Sequence, residues 1–268
     1  MSGTAYVHGY SERESVRLAD QANTLAGLLH HDTRYAAGSR VLECGCGIGA
    51  QTVWLAASSP QARIVSVDLA LASVRQARGQ CEAAGHSNVA FLSADAFALP
   101  FEDATFDAIF VCFVLEHLAD PCGALRALAR VLRPGGEITV IEGDHGSWYC
   151  HPHTPEAART VACLVESQRR MGGDALIGRR LYPLLVDAGF QDVQVSPRMV
   201  YVDASRPELV EGFSKNTFIA MVEGVREQAL AWGLMDAAAW DKGIADMYRA
   251  TEAGGTFCYT FFKGRALK

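Results

Sequence analysis

An apolar strand end, an acid and three alternate glycines stand together in Val41-Leu42-Glu43-Cys44-Gly45-Cys46-Gly47-Ile48-Gly49-Ala50, which describes a nucleotide-binding turn. Glycines at 45, 47 and 49 let the main chain turn sharply and approach a ligand, because a Cβ there would collide with it or forbid the needed dihedrals. A group bound by such a turn touches backbone. Gly45, Gly47 and Ala50 also satisfy the dinucleotide fingerprint, which seats a pyrophosphate on a helix N-terminus. Glu43, two residues before the first glycine, argues the other way, since a carboxylate beside the pocket repels a pyrophosphate and attracts an ammonium or a sulfonium.

From residue 39 onward, strand-like and helix-like segments alternate, which predicts parallel βαβ units. Arg40 to Glu43 reads as the first strand, about Ala50 to Ser58 as a helix, and Arg63 to Asp68 as the second strand. Leu71, Val74, Ala77 and Cys81 recur at helical spacing. Val89 to Ser93 reads as strand three and Phe106 to Cys112 as strand four, apolar enough for burial on both faces. Leu125, Leu128 and Leu132 stripe a helix that Arg133-Pro134-Gly135-Gly136 stops, and Glu137 to Glu142 follows as strand five. From Gly143 to Gly173 the pattern loosens into a polar, aromatic, His-rich stretch. A helix resumes from Arg179 to Gly189, and alternating segments near 192–202 and 256–263 complete the sheet. Between them, Phe218, Met221, Val222, Val225 and Ala229 stripe a helical segment. The expected organisation is an N-terminal lid helix (1–35), an α/β core (36–204 and 252–268) and a helical cap insertion (205–251) over the carboxyl ends of the strands.

At 268 residues, half of them hydrophobic and 20% charged, the chain can bury one full core. A formal net charge of −6 without a Lys/Arg cluster argues against nucleic acid, whose binding is driven by counterion release. The start lacks a basic and apolar leader pattern, and no run reaches the ~20 apolar residues of a membrane span, so a soluble, cytoplasmic protein is expected. Eight cysteines without a Cys-x-x-Cys pair read as small buried hydrophobes in a reducing compartment. No metal is expected, either at Cys44 and Cys46 or at His145, Cys150, His151 and His153, because alternate loop residues rarely converge.

Val41 to Ala50, Asp68 ending strand two, Asp95-Ala96 after strand three, the Leu132 to Gly136 turn and a closing Phe257 to Lys263 strand together resemble class I S-adenosylmethionine-dependent methyltransferases, in their small-molecule branch of quinone-biosynthesis and natural-product enzymes. The resemblance covers about residues 35–203 and the last strand. It implies an α/β, doubly wound, seven-stranded and mostly parallel Rossmann-like sheet, only the last strand being antiparallel, and S-adenosylmethionine as methyl donor. Gly45, Gly47 and Gly49 would wrap the methionine moiety, with Glu43 directing negative charge toward its ammonium. Asp68 would accept both ribose hydroxyls. Asp95 would take the adenine amine and the Ala96 amide a ring nitrogen, with Leu69 or Phe97 against the ring. Phe113, Val114 and His117 would line the methionine end, and Tyr6, His8 and Tyr10 of the lid would enclose the sulfonium or the acceptor.

Methyl transfer from a sulfonium is an in-line displacement, so alignment and exclusion of water come first, and a base helps where the acceptor is a hydroxyl or a protonated amine. Candidates cluster after strand five, where open α/β sheets bind substrates: Glu142, Asp144, His145, Tyr149, His151 and His153. His145 is the preferred base, with Glu142 and His151 next. Trp148, Phe213, Phe218, Trp232, Trp240 and Tyr248 offer either an apolar acceptor pocket or ordinary core. The expected partner is a small-molecule substrate, with no nucleic acid and no membrane; a homodimer stays open. Competing functions are an NAD(P)-dependent oxidoreductase, disfavoured by Glu43, Asp95 and the missing Tyr-x-x-x-Lys dyad, and a non-catalytic S-adenosylmethionine-binding protein. Methylation of bases lacks its Asn-Pro-Pro-aromatic motif.

Overall fold

The computed structural model describes residue 22 and residues 24–268. In chain order its strands are β1 (Arg40–Cys44), β2 (Arg63–Asp68), β3 (Val89–Ser93), β4 (Phe106–Cys112), β5 (Leu132–Gly143), β6 (Tyr149–His151), β7 (Gln191–Asp203) and β8 (Thr256–Leu267). The helices are α1 (24–29), α2 (Thr52–Ser58), α3 (Leu71–Ala83), α4 (Pro121–Val131), α5 (Pro155–Arg170), α6 (Leu181–Asp187), α7 (207–223), α8 (Arg226–Ala231) and α9 (Ala237–Arg249).

Five parallel strands run in the order β3-β2-β1-β4-β5, and β8 follows antiparallel to β5. β7 lies on the other edge of β8, also antiparallel to it. β6 pairs with the first three residues of β8, ahead of the stretch that pairs with β5, so it prolongs the β5 lane. The eight strands thus fill seven lanes, matching the expected sheet with one reversed strand. Reversal of strand order between β1 and β4 opens a crevice at their carboxyl ends, where ligands of open α/β sheets bind.

Two cores flank the sheet because successive strand residues face opposite ways. Val41, Ile64, Phe110 and Ile141 pack with α1, α2, α5 and the segment 209–250, whereas Leu42, Val67, Ile109 and Val140 pack with α4 and α6. Every residue from Val41 to Cys44 is buried, as a central parallel strand requires.

The expected loose stretch at 143–173 is corrected by the structure, which places β6 and the sixteen-residue α5 there. Thr154 caps α5 by accepting from the Ala157 amide at 3.2 Å, Pro155 opens it, and Arg169 and Arg170 close its last turn. Ala157, Val161, Leu164 and Gln168 form its buried stripe. A polar outer face and the histidines before it diluted that stripe.

In α7 the ten residues Val210–Ile219 are wound as π-helix, with the Thr217 hydroxyl donating to the Gly212 carbonyl five residues back at 2.7 Å. The wider turn brings residues five apart onto one face. Phe213 and Phe218 both lie against Tyr259 of β8, at 5.7 and 5.5 Å between ring centroids.

Candidate active site

All three glycines of the first turn have positive φ: 80° at Gly45, 50° at Gly47 and 90° at Gly49. A Cβ at Gly45 would overlap the Val114 side chain, and one at Gly49 would stand 2.7 Å from Ala77 Cα of α3, so these two glycines permit close packing. Around a Cβ at Gly47 there is open space. Gly47 is therefore the glycine whose missing side chain leaves room beside the turn.

Asp68 stands against that room. Its Oδ2 accepts from the Gly47 amide at 2.9 Å and its Oδ1 from the Ala70 amide at 2.9 Å, which ties the end of β2 to the glycine turn. A carboxylate offers about four lone-pair sites, so two amide bonds leave it able to accept from a diol. On the neighbouring strand, Asp95 Oδ1 accepts from the Phe97 amide at 2.9 Å, the turn-forming arrangement of an aspartate, and presents the Ala96 segment beside it. Leu69 and Phe97 are 68% and 46% exposed, two large apolar surfaces at adjoining strand ends.

Glu43, expected to direct negative charge toward the ammonium directly or through water, lies buried in the sheet. It is 2% exposed, and its Oε2 accepts from the Ser66 hydroxyl at 2.6 Å. Burial pushes its carboxyl up to about 7, against the pull of that hydrogen bond. An unfolded chain ionises Glu43 above its ordinary 4.5 while the folded chain keeps the proton to about 7, so stability falls by about 3 kcal/mol across that window and levels off above it. Glu43→Gln should remove this slope. Urea unfolding of both proteins at mildly acidic and mildly alkaline pH checks it, and identical pH dependence would show that Glu43 titrates normally.

Past β4, Phe113 takes a positive φ of 57° and its ring lies 5.5 Å from that of Phe261. The chain then forms a single turn of 3-10 helix, Leu115–His117. Glu142, fully buried on β5, accepts from the Val114 and Leu115 amides at 3.0 and 2.7 Å. Burial and the neighbouring Glu116 hold its carboxyl well above the usual range. Glu142 Oε1 thus caps the turn, while Oε2 of the same carboxyl, the second expected base, makes no hydrogen bond among the described residues.

His145, 5% exposed, has Nδ1 2.7 Å from the Tyr259 hydroxyl and Nε2 3.7 Å from Glu116 Oε2. His117 Nε2 lies 3.6 Å from Glu116 Oε1. His151 is not brought to this group: it is exposed on β6 opposite Thr256, roughly 10 Å along β8 from Tyr259. His153 lies tilted against Trp148 at 6.1 Å between ring centroids, and Asp144 is held by a two-pronged bond from Arg179 at 2.7 and 2.8 Å. Among the described residues, no group of three or more His, Cys, Asp or Glu could hold a metal. Tyr6, His8 and Tyr10 lie outside the described residues.

Sequence reasoning missed Glu116, Tyr259 and Gln168. An acid ending the apolar run Ala108 to Leu115 was the available signal for Glu116; the pairing of His145 with Tyr259, 114 residues apart, had none. Of the cap aromatics, Phe213, Phe218 and Trp240 are 1% exposed and belong to the core, while Trp232 and Tyr248 are 38% and 36% exposed.

Residues 42–140 match the family described as a methyltransferase domain. Over 189 residues the chain is 35% identical to an uncharacterized 37.1 kDa protein in transposon TN4556 of Streptomyces fradiae, a match spanning 70% of this chain and 54% of that one. Over 106 residues, 40% of this chain and 48% of the relative, it is 42% identical to the demethylmenaquinone methyltransferase of Thermus thermophilus. The chain spans about half the length of the curated relatives it matches. Phosphoethanolamine N-methyltransferase 2 of Haemonchus contortus, solved with phosphomonomethylethanolamine and S-adenosylhomocysteine, shares the fold at a TM-score of 0.59 and 17% identity, over 96% of this chain and 58% of that one. The sheet order with its crevice defines the class I methyltransferase architecture. Over residues 42–140 the chain carries a methyltransferase domain.

Proposed function

We propose that this protein transfers a methyl group from S-adenosylmethionine to a small-molecule acceptor by in-line displacement, leaving S-adenosylhomocysteine. The observation that carries this reading is the Asp68 carboxylate bonded to the Gly47 amide, beside the open space at that glycine. A carboxylate there suits the diol of a ribose. Gly45, Gly47 and Gly49 hold the methionine moiety through backbone. Asp68 takes the ribose, Asp95 and the Ala96 amide the adenine edge, and Leu69 and Phe97 its faces. Phe113 and His117 line the methyl end, while Glu43 acts from beneath the turn. Residues 36–204 and 252–268 form the donor-binding core, and 205–251 cap it. The partly buried Phe113 and Trp148 favour an apolar acceptor, the kind that the Thermus relative's name implies for that enzyme. Eight free cysteines, seven of them buried, fit a reducing cytoplasm.

Calorimetric titration with S-adenosylmethionine, S-adenosylhomocysteine and a nicotinamide dinucleotide tests the reading. Binding of the first two and not the third is expected, and tight uptake of the dinucleotide alone would end it. Asp68→Ala should weaken donor binding by about 1.5–3 kcal/mol, the scale of hydrogen bonds to a charged group. It should also lower stability by about 1–2 kcal/mol, because the Gly47 and Ala70 amides lose their acceptor. Unchanged donor affinity in that variant would remove Asp68 from the site.

A further inference from the structure

Buried polar side chains from four elements meet beyond the end of β4. The Glu116 carboxylate lies between two imidazoles, Oε2 toward His145 Nε2 and Oε1 toward His117 Nε2. Gln168 of α5 donates to Oε2 at 3.1 Å and to the Glu116 carbonyl at 3.2 Å, and the Asp174 amide donates to that carbonyl at 2.8 Å. On the far side of His145 stands the Tyr259 hydroxyl. We propose that Glu116 is a positioning residue that sets the tautomer and basicity of both His145 and His117, with Tyr259 fixing the opposite face of His145. This rests on the reading that a histidine at this edge takes the acceptor's proton.

The direction of the chain follows from its ends. The Tyr259 phenol keeps its proton, held well above its ordinary value by burial, and His145 Nδ1 stands 2.7 Å away to accept its hydrogen bond. With Tyr259 donating, the imidazole proton sits on Nε2, 3.7 Å from Glu116 Oε2, within reach of its charge rather than of a direct hydrogen bond. A carboxylate behind one ring nitrogen fixes the tautomer and stabilises the imidazolium that forms when the ring accepts a proton. His117 faces the same carboxylate, so one anion serves two rings and their titrations are coupled. Other titratable groups around the cluster are Glu142 on β5, whose Oε1 accepts from the Val114 and Leu115 amides, and Asp144, neutralised by Arg179. Glu116 faces both rings, with Oε1 3.6 Å from His117 Nε2 and Oε2 3.7 Å from His145 Nε2.

The test follows the imidazole nitrogens by NMR in isotope-labelled protein from about pH 5 to about pH 9, with and without S-adenosylhomocysteine. Wild-type His145 is expected as the Nε2–H tautomer. Glu116→Gln should lower the midpoints of both histidines by about one unit, the scale for losing an adjacent opposite charge. Tyr259→Phe should change His145 and leave His117 in place. A Glu116→Gln protein with both midpoints unmoved, or a wild-type His145 protonated on Nδ1 alone, overturns the assignment. Melting temperature and S-adenosylhomocysteine affinity are read on the same samples; Tyr259→Phe should melt a few degrees lower, because buried His145 Nδ1 loses its partner, and keep its S-adenosylhomocysteine affinity. Should Glu116→Gln fail to fold, Glu116→Asp replaces it: withdrawal of the charge by one methylene should lower both midpoints, and fixed midpoints again overturn the assignment. Absence of S-adenosylhomocysteine binding would sink the donor reading, while the ligand-free spectra still decide on Glu116.

Discussion

A Gly49→Ala variant will lose about 2–5 kcal/mol of folding stability, whereas Gly47→Ala will lose about 1–2 kcal/mol and forfeit donor binding instead. Both positions need a left-handed backbone, with φ of 90° and 50°. They differ in what a methyl group meets. At Gly49 it meets Ala77 Cα at 2.7 Å and Ala77 Cβ at 2.9 Å, main-chain and stub atoms of α3 that no rotamer change can withdraw. Relief requires moving α3 off the sheet, so the cost appears in the urea midpoint. At Gly47 the methyl enters open space, and the remaining cost is local strain. That space borders the Asp68 carboxylate, where the donor is proposed to lie. Calorimetry with S-adenosylhomocysteine should therefore show a loss of tenfold or more in a protein that melts close to wild type. Equal donor affinity in Gly47→Ala would place the ligand elsewhere, and a stable Gly49→Ala would mean that α3 does not pack as closely as described.

The contrast also shows which parts of the site were legible from the chain. Gly45, Gly47, Gly49, Asp68 and Asp95 lie within a few residues of strand ends, so local pattern alone placed them at the carboxyl edge, and the sheet order puts them on three adjoining strands. Glu43 was legible as an acid near the turn, yet its orientation depended on strand alternation: Leu42 and Cys44 face one core, while Glu43 turns the other way, toward Ser66 of the neighbouring strand. The catalytic edge was harder. Glu142 ends and His145 follows the same strand, but whether each faces a ligand or a backbone amide depends on the turn after β4 and on Tyr259, contributed by distant segments. His151 looked equivalent to His145 in sequence and is carried away by β6, a strand that exists because β8 extends beyond its pairing with β5. Long-range pairing, not composition, separates the three candidate bases.

Replacing Lys263 by methionine should lower stability by about 3 kcal/mol, the lower end of the range for removing one partner of a buried ion pair. Lys263 is 2% exposed, and its ammonium donates to Asp32 Oδ1 at 2.6 Å, Thr33 Oγ1 at 2.6 Å and the Leu29 carbonyl at 3.1 Å. Methionine fills the channel but leaves that carbonyl and hydroxyl without a donor in the protein interior. Asp32 is a third exposed and keeps Arg198, which limits the loss. Burial pushes the Asp32 carboxyl up, but the bonds and charges of Lys263 and Arg198 outweigh it and hold the group well below the carboxylate range. A depressed carboxyl stabilises the folded chain above its unfolded value near 4 and ceases to do so as pH falls through the folded value, so the gap between wild type and variant should narrow in acid. The consequence reaches the site. Lys263 ties the end of α1 to β8, and the next residue, His30, is bonded at 2.6 Å to Gln51 directly after the glycine turn. Burial pushes His30 down to about 4, so it stays neutral and keeps that contact at neutral pH. Loosening α1 in Lys263→Met should then raise amide exchange at residues 24–33 and weaken donor binding together. Faster exchange with unaltered affinity would show that the α1 anchor and the glycine turn are energetically separate.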